Sequence, residues 1–304
     1  MTRTAAALTS AVAALLAACA AANPTSAATT PNDTSAATAV RIAAAGDIAC
    51  EPGYTVTSRT CQHKATAALI RRNGASAVLT LGDNQYENGA LWAFQKSYAP
   101  TWGVFNPKVY PVPGNHEYNT DKAAGYFSYF GARAHSSRGY YAYNLGTWRL
   151  YALNSNCSQV DCAAETTWLR RDLAARPHRC VLGYLHHPRF SSGEHGNNTA
   201  VAPLWRALAN ARAEVMLGGH DHSYERFARK DASGNVAKAG IRSFVVGTGG
   251  KSLYGFGTPV TGSRVRYNGS AGVLFMTLRD GSYGWQFKSI DGTVRDAKAS
   301  APCR

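Results

Sequence analysis

Apolar runs along this chain stop repeatedly at a glycine or a short polar cluster. Val40 to Ala45 ends at Gly46-Asp47, and Ala77-Val78-Leu79-Thr80-Leu81 ends at Gly82-Asp83-Asn84. Val109 to Val112 leads to Gly114-Asn115-His116, Cys180 to Leu185 to His186-His187-Pro188, and Glu214 to Leu217 to Gly218-Gly219-His220-Asp221-His222. Short apolar runs bounded by turn residues predict buried strands. Helical spacing appears between them: Ala65, Ala68 and Leu69 fall on one face, closed by the C-cap signal Asn73-Gly74. Further helices are predicted around Glu165 to Ala175, stopped by Pro177, and from Pro203 to Ala211. Arg149 to Leu153 follows a hairpin through Gly146-Thr147, and from Ser243 onward strand and hairpin signals dominate, including Val273 through Trp285 to Ile290.

The alternation of strand, loop and helix predicts an α/β fold, and the strand-rich final third predicts two mixed β-sheets packed face to face with helices outside. Asp47, Asp83, Asn115, His186 and His220 then stand at the carboxyl ends of strands, where open α/β sheets gather their active sites.

The first residues follow other rules. Arg3 precedes an apolar run from Ala5 to Ala18 that is too short to span a bilayer, and no later stretch approaches ~20 continuous apolar residues. Residues 1–19 read as an export signal, and residues 20–39, almost entirely Ala, Thr, Ser, Asn and Pro, as a flexible linker. A catalytic domain follows over 40–304, without internal repeat or second low-complexity stretch. Leu16-Ala17-Ala18-Cys19 resembles a bacterial lipobox, and an ordinary cleavage site near Ala18 to Ala22 explains the segment equally well. The protein is expected outside the cell, either secreted or anchored to the outer face of the membrane through lipid on Cys19.

Of seven cysteines, six remain once Cys19 is set aside. In an oxidising compartment they predict three disulfides: Cys50–Cys61 and Cys157–Cys162 as short loops, and Cys180–Cys303 tying down the C-terminus. Six cysteines allow about fifteen pairings, so parity alone leaves the connectivity open. The formal net charge of +14 attracts anionic substrates, nucleic acid or anionic lipid without choosing among them. Gly247-Thr248-Gly249-Gly250-Lys251-Ser252 ends like a phosphate-binding P-loop, but that pattern requires glycine where Val245 stands, and it reads as a turn beside the site.

The strand-end clusters carry metal-ligand chemistry: carboxylates for hard cations, imidazoles for iron, zinc or manganese, and a neutral amide oxygen. Taken singly, each has an ordinary explanation, since Gly-Asp is commonly a capped turn and a histidine pair commonly a solvated face. Together and in order, Gly46-Asp47, Gly82-Asp83-Asn84, Gly114-Asn115-His116-Glu117, His186 and Gly219-His220-Asp221-His222 resemble the five blocks of the calcineurin-like metallophosphoesterase superfamily, across residues 46–222. Ala49 stands where many members carry a histidine, and Tyr86 stands three residues after Asp83, which resembles the purple acid phosphatases, as does the final block through Ser223-Tyr224-Glu225-Arg226.

The resemblance implies a four-layer α/β/β/α sandwich. It implies two metal ions, Fe3+ with a divalent partner (Zn2+, Mn2+ or Fe2+). Asp47, Tyr86 and His222 hold the first ion, Asn115, His186 and His220 the second, and Asp83 bridges them. It further implies His116 as a catalytic donor to the phosphoryl or leaving group, His195 as a second such histidine, and Glu117, Asp221 and His187 as neighbours orienting the ligands. The expected reaction is attack of a metal-activated water on a phosphate monoester, as in acid phosphatases. A phosphodiesterase or nuclease acting at the same centre is the alternative enzyme, with nucleic acid entering only as substrate; a non-catalytic anchored binding protein is the alternative of another class. No obligate protein partner is implied.

Overall fold

The computed structural model describes residues 39–304. The export signal read over 1–19 and nearly all of the linker read over 20–39 lie outside the described residues. The first half of the described chain runs β1 (Val40–Ala45), α1 (His63–Asn73), β2 (Ala77–Leu81), the single turn α2 (Leu91–Ala93), β3 (Val109–Val112), α3 (Ala124–Phe130), β4 (Tyr141–Leu145) and β5 (Trp148–Ala152). It continues with α4 (Cys162–Ala175), β6 (Cys180–Tyr184), α5 (Ala202–Asn210), β7 (Val215–Gly218), β8 (Tyr224–Phe227) and β9 (Arg242–Val246). The last four strands are β10 (Ser263–Tyr267), β11 (Gly272–Arg279), β12 (Ser282–Ser289) and β13 (Val294–Pro302).

They form two mixed sheets, one ordered β13-β12-β11-β1-β2-β3 and one ordered β10-β8-β9-β7-β6-β5-β4. β1, β2 and β3 run parallel in the first, as do β5, β6, β7 and β9 in the second. Parallel strands covered on both faces need continuous apolar runs, and every residue of β2 is buried. In the second sheet the two-residue side-chain period separates two cores. Trp148, Leu150, Leu182, Tyr184, Val215, Leu217, Phe244 and Val246 pack toward the first sheet. Tyr151, Val181, Met216 and Val245 meet Leu169 of α4 and Leu204, Trp205 and Leu208 of α5. Each such large apolar side chain contributes roughly 1.5–3 kcal/mol by leaving water. Face-to-face sheets with helices outside are thus the observed fold.

The parallel strands aim their carboxyl ends at one place, and a hydrogen bond from Gly46 N to Val246 O (2.9 Å) joins the two sheets there. The three disulfides are those expected from the sequence: Cys50–Cys61, Cys157–Cys162 and Cys180–Cys303. The last is reinforced by Arg304, whose backbone N–H donates to the buried Glu214 carboxylate at 2.6 Å.

Helix α4 starts three residues before the predicted Glu165, because the Asp161 carboxylate accepts from Ala163 N (3.0 Å) and Ala164 N (2.9 Å). Glu165 itself is fully buried: its Oε1 accepts from Asn154 N at 2.9 Å, and its Oε2 has no partner. Burial pushes its carboxyl up from 4.5 to about 8, against the smaller opposing pull of that hydrogen bond. A raised folded-state pKa means the folded chain holds its proton more tightly, so the stability is complete below the unfolded value and is lost as pH climbs toward 8. Glu165→Gln carries no such proton. Its stability relative to the native chain is expected to grow by on the order of 3 kcal/mol between pH 5 and pH 8 in urea unfolding; a pH-independent difference would show that Glu165 is already ionised in the fold.

Candidate metal centre

The loops after β1, β2, β3, β6 and β7 bring all seven predicted ligands together in two groups that touch. In the first, the Tyr86 hydroxyl lies 2.9 Å from Asp47 Oδ1, 3.0 Å from His222 Nε2 and 3.0 Å from Asp83 Oδ2. His222 Nε2 is also 3.3 Å from Asp47 Oδ1. In the second, His186 Nε2 lies 3.0 Å from Asn115 Oδ1, 3.1 Å from His220 Nδ1 and 3.4 Å from Asp83 Oδ2. Asp83 Oδ2 is therefore the atom both groups share.

The backbone is bent to achieve this. Asp47, Asp83 and His220 have φ of 60°, 46° and 70°, the left-handed region that residues other than glycine avoid. Strain of this kind costs on the order of 1–3 kcal/mol per residue and persists where the surroundings over-determine it. Fixed partners supply that constraint: His220 N donates to Asp47 Oδ2 (2.9 Å), His116 N donates to Asp83 Oδ1 (2.9 Å), and His186 Nδ1 donates to Leu81 O (2.9 Å), which leaves Nε2 facing the group. Two motif glycines are needed for space. A Cβ on Gly114 would stand 2.1 Å from Asp83 Oδ1, and one on Gly219 would stand 2.7 Å from Asp47 Oδ2.

The electrostatics favour a cation at this place. Asp47, Asp83, Tyr86 and His186 are all buried, and among the described residues neither carboxylate pairs with a lysine or arginine. Burial, then the charges of Asp47 and Asp83, hold the Tyr86 phenol well above its ordinary value of 10.0. Burial pulls His186 down, but Asp83 outweighs it and pushes the imidazole up to about 9. Asp83 is held below its ordinary range, because His186 and His116 overcome the effect of its burial. His220 is lowered by burial and by His186. Two buried carboxylates, a phenol and imidazole lone pairs at mutual contact repel unless positive charge stands among them. This hard and borderline donor set suits a pair of metal ions.

The outer residues divide. His116 donates from Nδ1 to Glu87 O (2.5 Å), and its ring lies against Tyr86 with centroids 4.3 Å apart. Its Nε2 is 3.9 Å from Asp83 Oδ2. The His195 ring stacks on His220 at 4.2 Å, so a loop residue far along the chain does reach the site. Glu117, fully buried, binds backbone rather than ligand rings: it accepts from Asn84 N (2.8 Å), Gln85 N (3.1 Å) and Gly114 N (2.7 Å), clamping the loops of Asp83 and Asn115 together. Burial, then the Asp83 charge, pushes Glu117 up to about 7. Asp221 departs from the expected ligand-orienting role, since its Oδ1 accepts from His195 N (2.8 Å) and so positions that loop. His187 turns Nδ1 to Ser155 Oγ (2.9 Å) and packs its ring on His220 at 4.4 Å. Burial and the neighbouring His186 lower it to about 3, so it is neutral.

Sequence reading missed two contacts to His222: Ser252 Oγ, 2.7 Å from Nδ1, and the Tyr254 ring, stacked at 3.9 Å. Lys251 lies over the Tyr86 ring at 4.8 Å and pairs with Glu87. The glycine-rich segment from Gly247 to Ser252 was the available signal, and it does lie against the site: Lys251 N donates to Asp47 O at 2.9 Å.

Comparison with known proteins gives a consistent picture. The family model for calcineurin-like phosphoesterases matches residues 40–224. Tartrate-resistant acid phosphatase type 5 of Sus scrofa is 26% identical over 205 residues, covering 57% of this chain and 60% of the relative. Purple acid phosphatase 22 of Arabidopsis thaliana is 26% identical over 191 residues, covering 54% and 42%. The chain thus spans less than two thirds of these relatives' length. Among solved structures, purple acid phosphatase PPD1 from yellow lupin (Lupinus luteus) seeds aligns with a TM-score of 0.70 at 16% identity, over 86% of this chain and 53% of that one. GAP50, the anchor in the inner membrane complex of Plasmodium, aligns with a TM-score of 0.67 at 14% identity, over 88% and 89%.

Proposed function

Because the chain belongs to the calcineurin-like phosphoesterase family, we propose that it is an exported hydrolase of phosphate monoesters acting at a two-metal centre of the purple acid phosphatase type. The observation that carries this reading is the Tyr86 hydroxyl, within 3.0 Å of Asp47, Asp83 and His222 at once. A phenol in that place is a ligand for a hard trivalent ion, so Asp47, Tyr86 and His222 would hold Fe3+. Asn115, His186 and His220 would hold a divalent ion, and Asp83 would serve both. Two such ions supply Lewis-acid activation of water and of the phosphoryl group.

The chain's own residues do the rest. Asp47 and Asp83 fix the flanking loops through His220 N and His116 N. His116, anchored at Nδ1 by Glu87 O, would donate from Nε2 toward the phosphoryl oxygens in its imidazolium form, in which both ring nitrogens carry protons. His195, stacked on His220 of the second donor group, would serve the leaving oxygen. Export is supported by three disulfides that consume six of the seven cysteines and leave Cys19 for lipid.

Protein expressed with iron is expected to absorb visible light through charge transfer from the Tyr86 phenolate, and Tyr86→Phe to lose both the band and the iron. A colourless, fully active native protein whose Tyr86→Phe variant keeps its metal content would remove the purple-type assignment while leaving the family standing. A diesterase acting at the same centre, which the net charge of +14 would also suit, is the second reading, and relative rates on matched mono- and diester chromogenic substrates separate the two. Convergence of every donor argues against a non-catalytic anchor.

A further inference from the structure

A cavity of about 320 Å³ opens against the metal centre, sharing Asn115 and His187 with it. Its other walls include Asn119, Asn156, Gln159 and Asn198, and no lysine, arginine, aspartate or glutamate lines it. In a chain of net charge +14, a neutral chamber beside the candidate metal ligands is a selective feature. Carboxamides offer both donors and acceptors, the pattern that hydroxyl groups complete. A hydrocarbon leaving group would desolvate those amides without replacing their hydrogen bonds, and a polyanionic one would find no cation to offset its charge.

The chamber is also built in advance. Its floor loop is closed by Cys157–Cys162 and held by Glu165, which takes Asn154 N at 2.9 Å. Asn154 in turn binds Asn156 N (3.2 Å), Asn156 Nδ2 (2.9 Å) and the Tyr118 hydroxyl (2.7 Å), and Ser155 Oγ accepts from His187 N (2.9 Å). Gln159, by contrast, is exposed on the rim and its side chain bonds no other described residue. The walls are fixed by bonds of their own, Asn156 Nδ2 donating to Pro113 O (3.2 Å), Asn119 Nδ2 to Glu87 O (3.2 Å) and Asn198 Oδ1 accepting from Ala200 N (3.0 Å), which leaves Asn119 Oδ1, Asn198 Nδ2 and the Gln159 amide for a ligand and lowers the ordering cost of binding.

We propose that this chamber receives the alcohol half of the substrate and selects a neutral polyhydroxylated leaving group, so that the preferred esters are sugar or polyol monophosphates. The proposal rests on the phosphatase reading above. Glucose 6-phosphate and ethyl phosphate both release a primary alkoxide and differ chiefly in hydroxyl groups, so the metal-loaded full chain is expected to show a kcat/KM at least ~10-fold higher on the sugar ester. Gln159→Leu and Asn198→Leu are each expected to lower that ratio about fivefold, the size of one hydrogen bond. A ratio near one in the native protein, a ratio unmoved by both variants, or a preference for ATP over glucose 6-phosphate overturns the proposal. Should neither ester turn over, the phosphatase reading fails by itself. The chamber is then judged by saturation-transfer NMR with free glucose, where a signal lost in both variants supports it and absence of signal in the native protein overturns it.

Discussion

Asp83→Asn is expected to yield a folded chain that retains less than one metal ion and hydrolyses phosphate monoesters roughly 1,000-fold more slowly than the native protein. The substitution isolates charge from shape. Asp83 sits at φ 46°, a conformation that asparagine adopts as readily as aspartate, and the amide oxygen can still accept from His116 N. What changes is the atom 3.0 Å from the Tyr86 hydroxyl and 3.4 Å from His186 Nε2, the one point where the two donor groups meet. Losing an anion there weakens both groups at once, which puts the cost at the upper end of the factor of about 100–1,000 typical of removing a single preorganised electrostatic contact. Metal analysis of natively expressed protein gives the occupancy, and circular dichroism at matched concentration confirms the fold. Ions normally stabilise a chain that binds them only when folded, so metal addition should raise Tm in the native protein and scarcely in the variant. Two ions per chain with near-native turnover in Asp83→Asn would dismiss the shared-ligand role.

The parts of the fold legible in the sequence are those whose residues bury on both faces. β1, β2, β6 and β7 are parallel and central, and β3, parallel at an edge, is still largely buried, so their apolar runs and the polar clusters that end them stand out. Strands β10 and β13 lie at sheet edges, and Arg-Val-Arg or Asp-Ala-Lys-Ala-Ser carries no clear apolar rhythm because most of those side chains face water. The segments flanking β3 were equally obscure. There Phe94, Tyr98, Trp102, Tyr126 and Phe130 are fully buried from helical pieces too short to show a period, and their aromatic rings pack mainly on one another.

At the site, the side chains that converge were legible because each follows a strand end, and Asp47, Asp83 and His220 needed no regular element to announce them. The supporting contacts were not. Ser252 reaches His222, and Ser155 reaches His187, only through the packing of loops distant in sequence, for which no local pattern exists. Asp221 illustrates the converse: its place between His220 and His222 suggested a partner for those rings, yet the turn directs its carboxylate at His195 N.

His116 and Asn115 are adjacent in the chain, and their alanine variants are expected to fail differently. Asn115 Oδ1 lies 3.0 Å from His186 Nε2 inside the second donor group, so Asn115→Ala removes a ligand and should lose metal. His116 contributes to the centre through its backbone, since it is the N–H that binds Asp83 Oδ1, and alanine keeps that N–H. Its imidazole instead hangs from Glu87 O by Nδ1, partly exposed, with Nε2 3.9 Å from Asp83 Oδ2. His116→Ala should therefore keep two ions per chain and the tyrosinate band while kcat falls by about 100–1,000-fold, with KM changed far less, the signature of a contact made mainly in the transition state. Visible absorbance and metal content, read on the same samples as kcat, separate the cases. Equal metal loss in both variants would make His116 a structural support of the centre, and unchanged turnover in His116→Ala would move the donor role to His195, whose ring lies across His220.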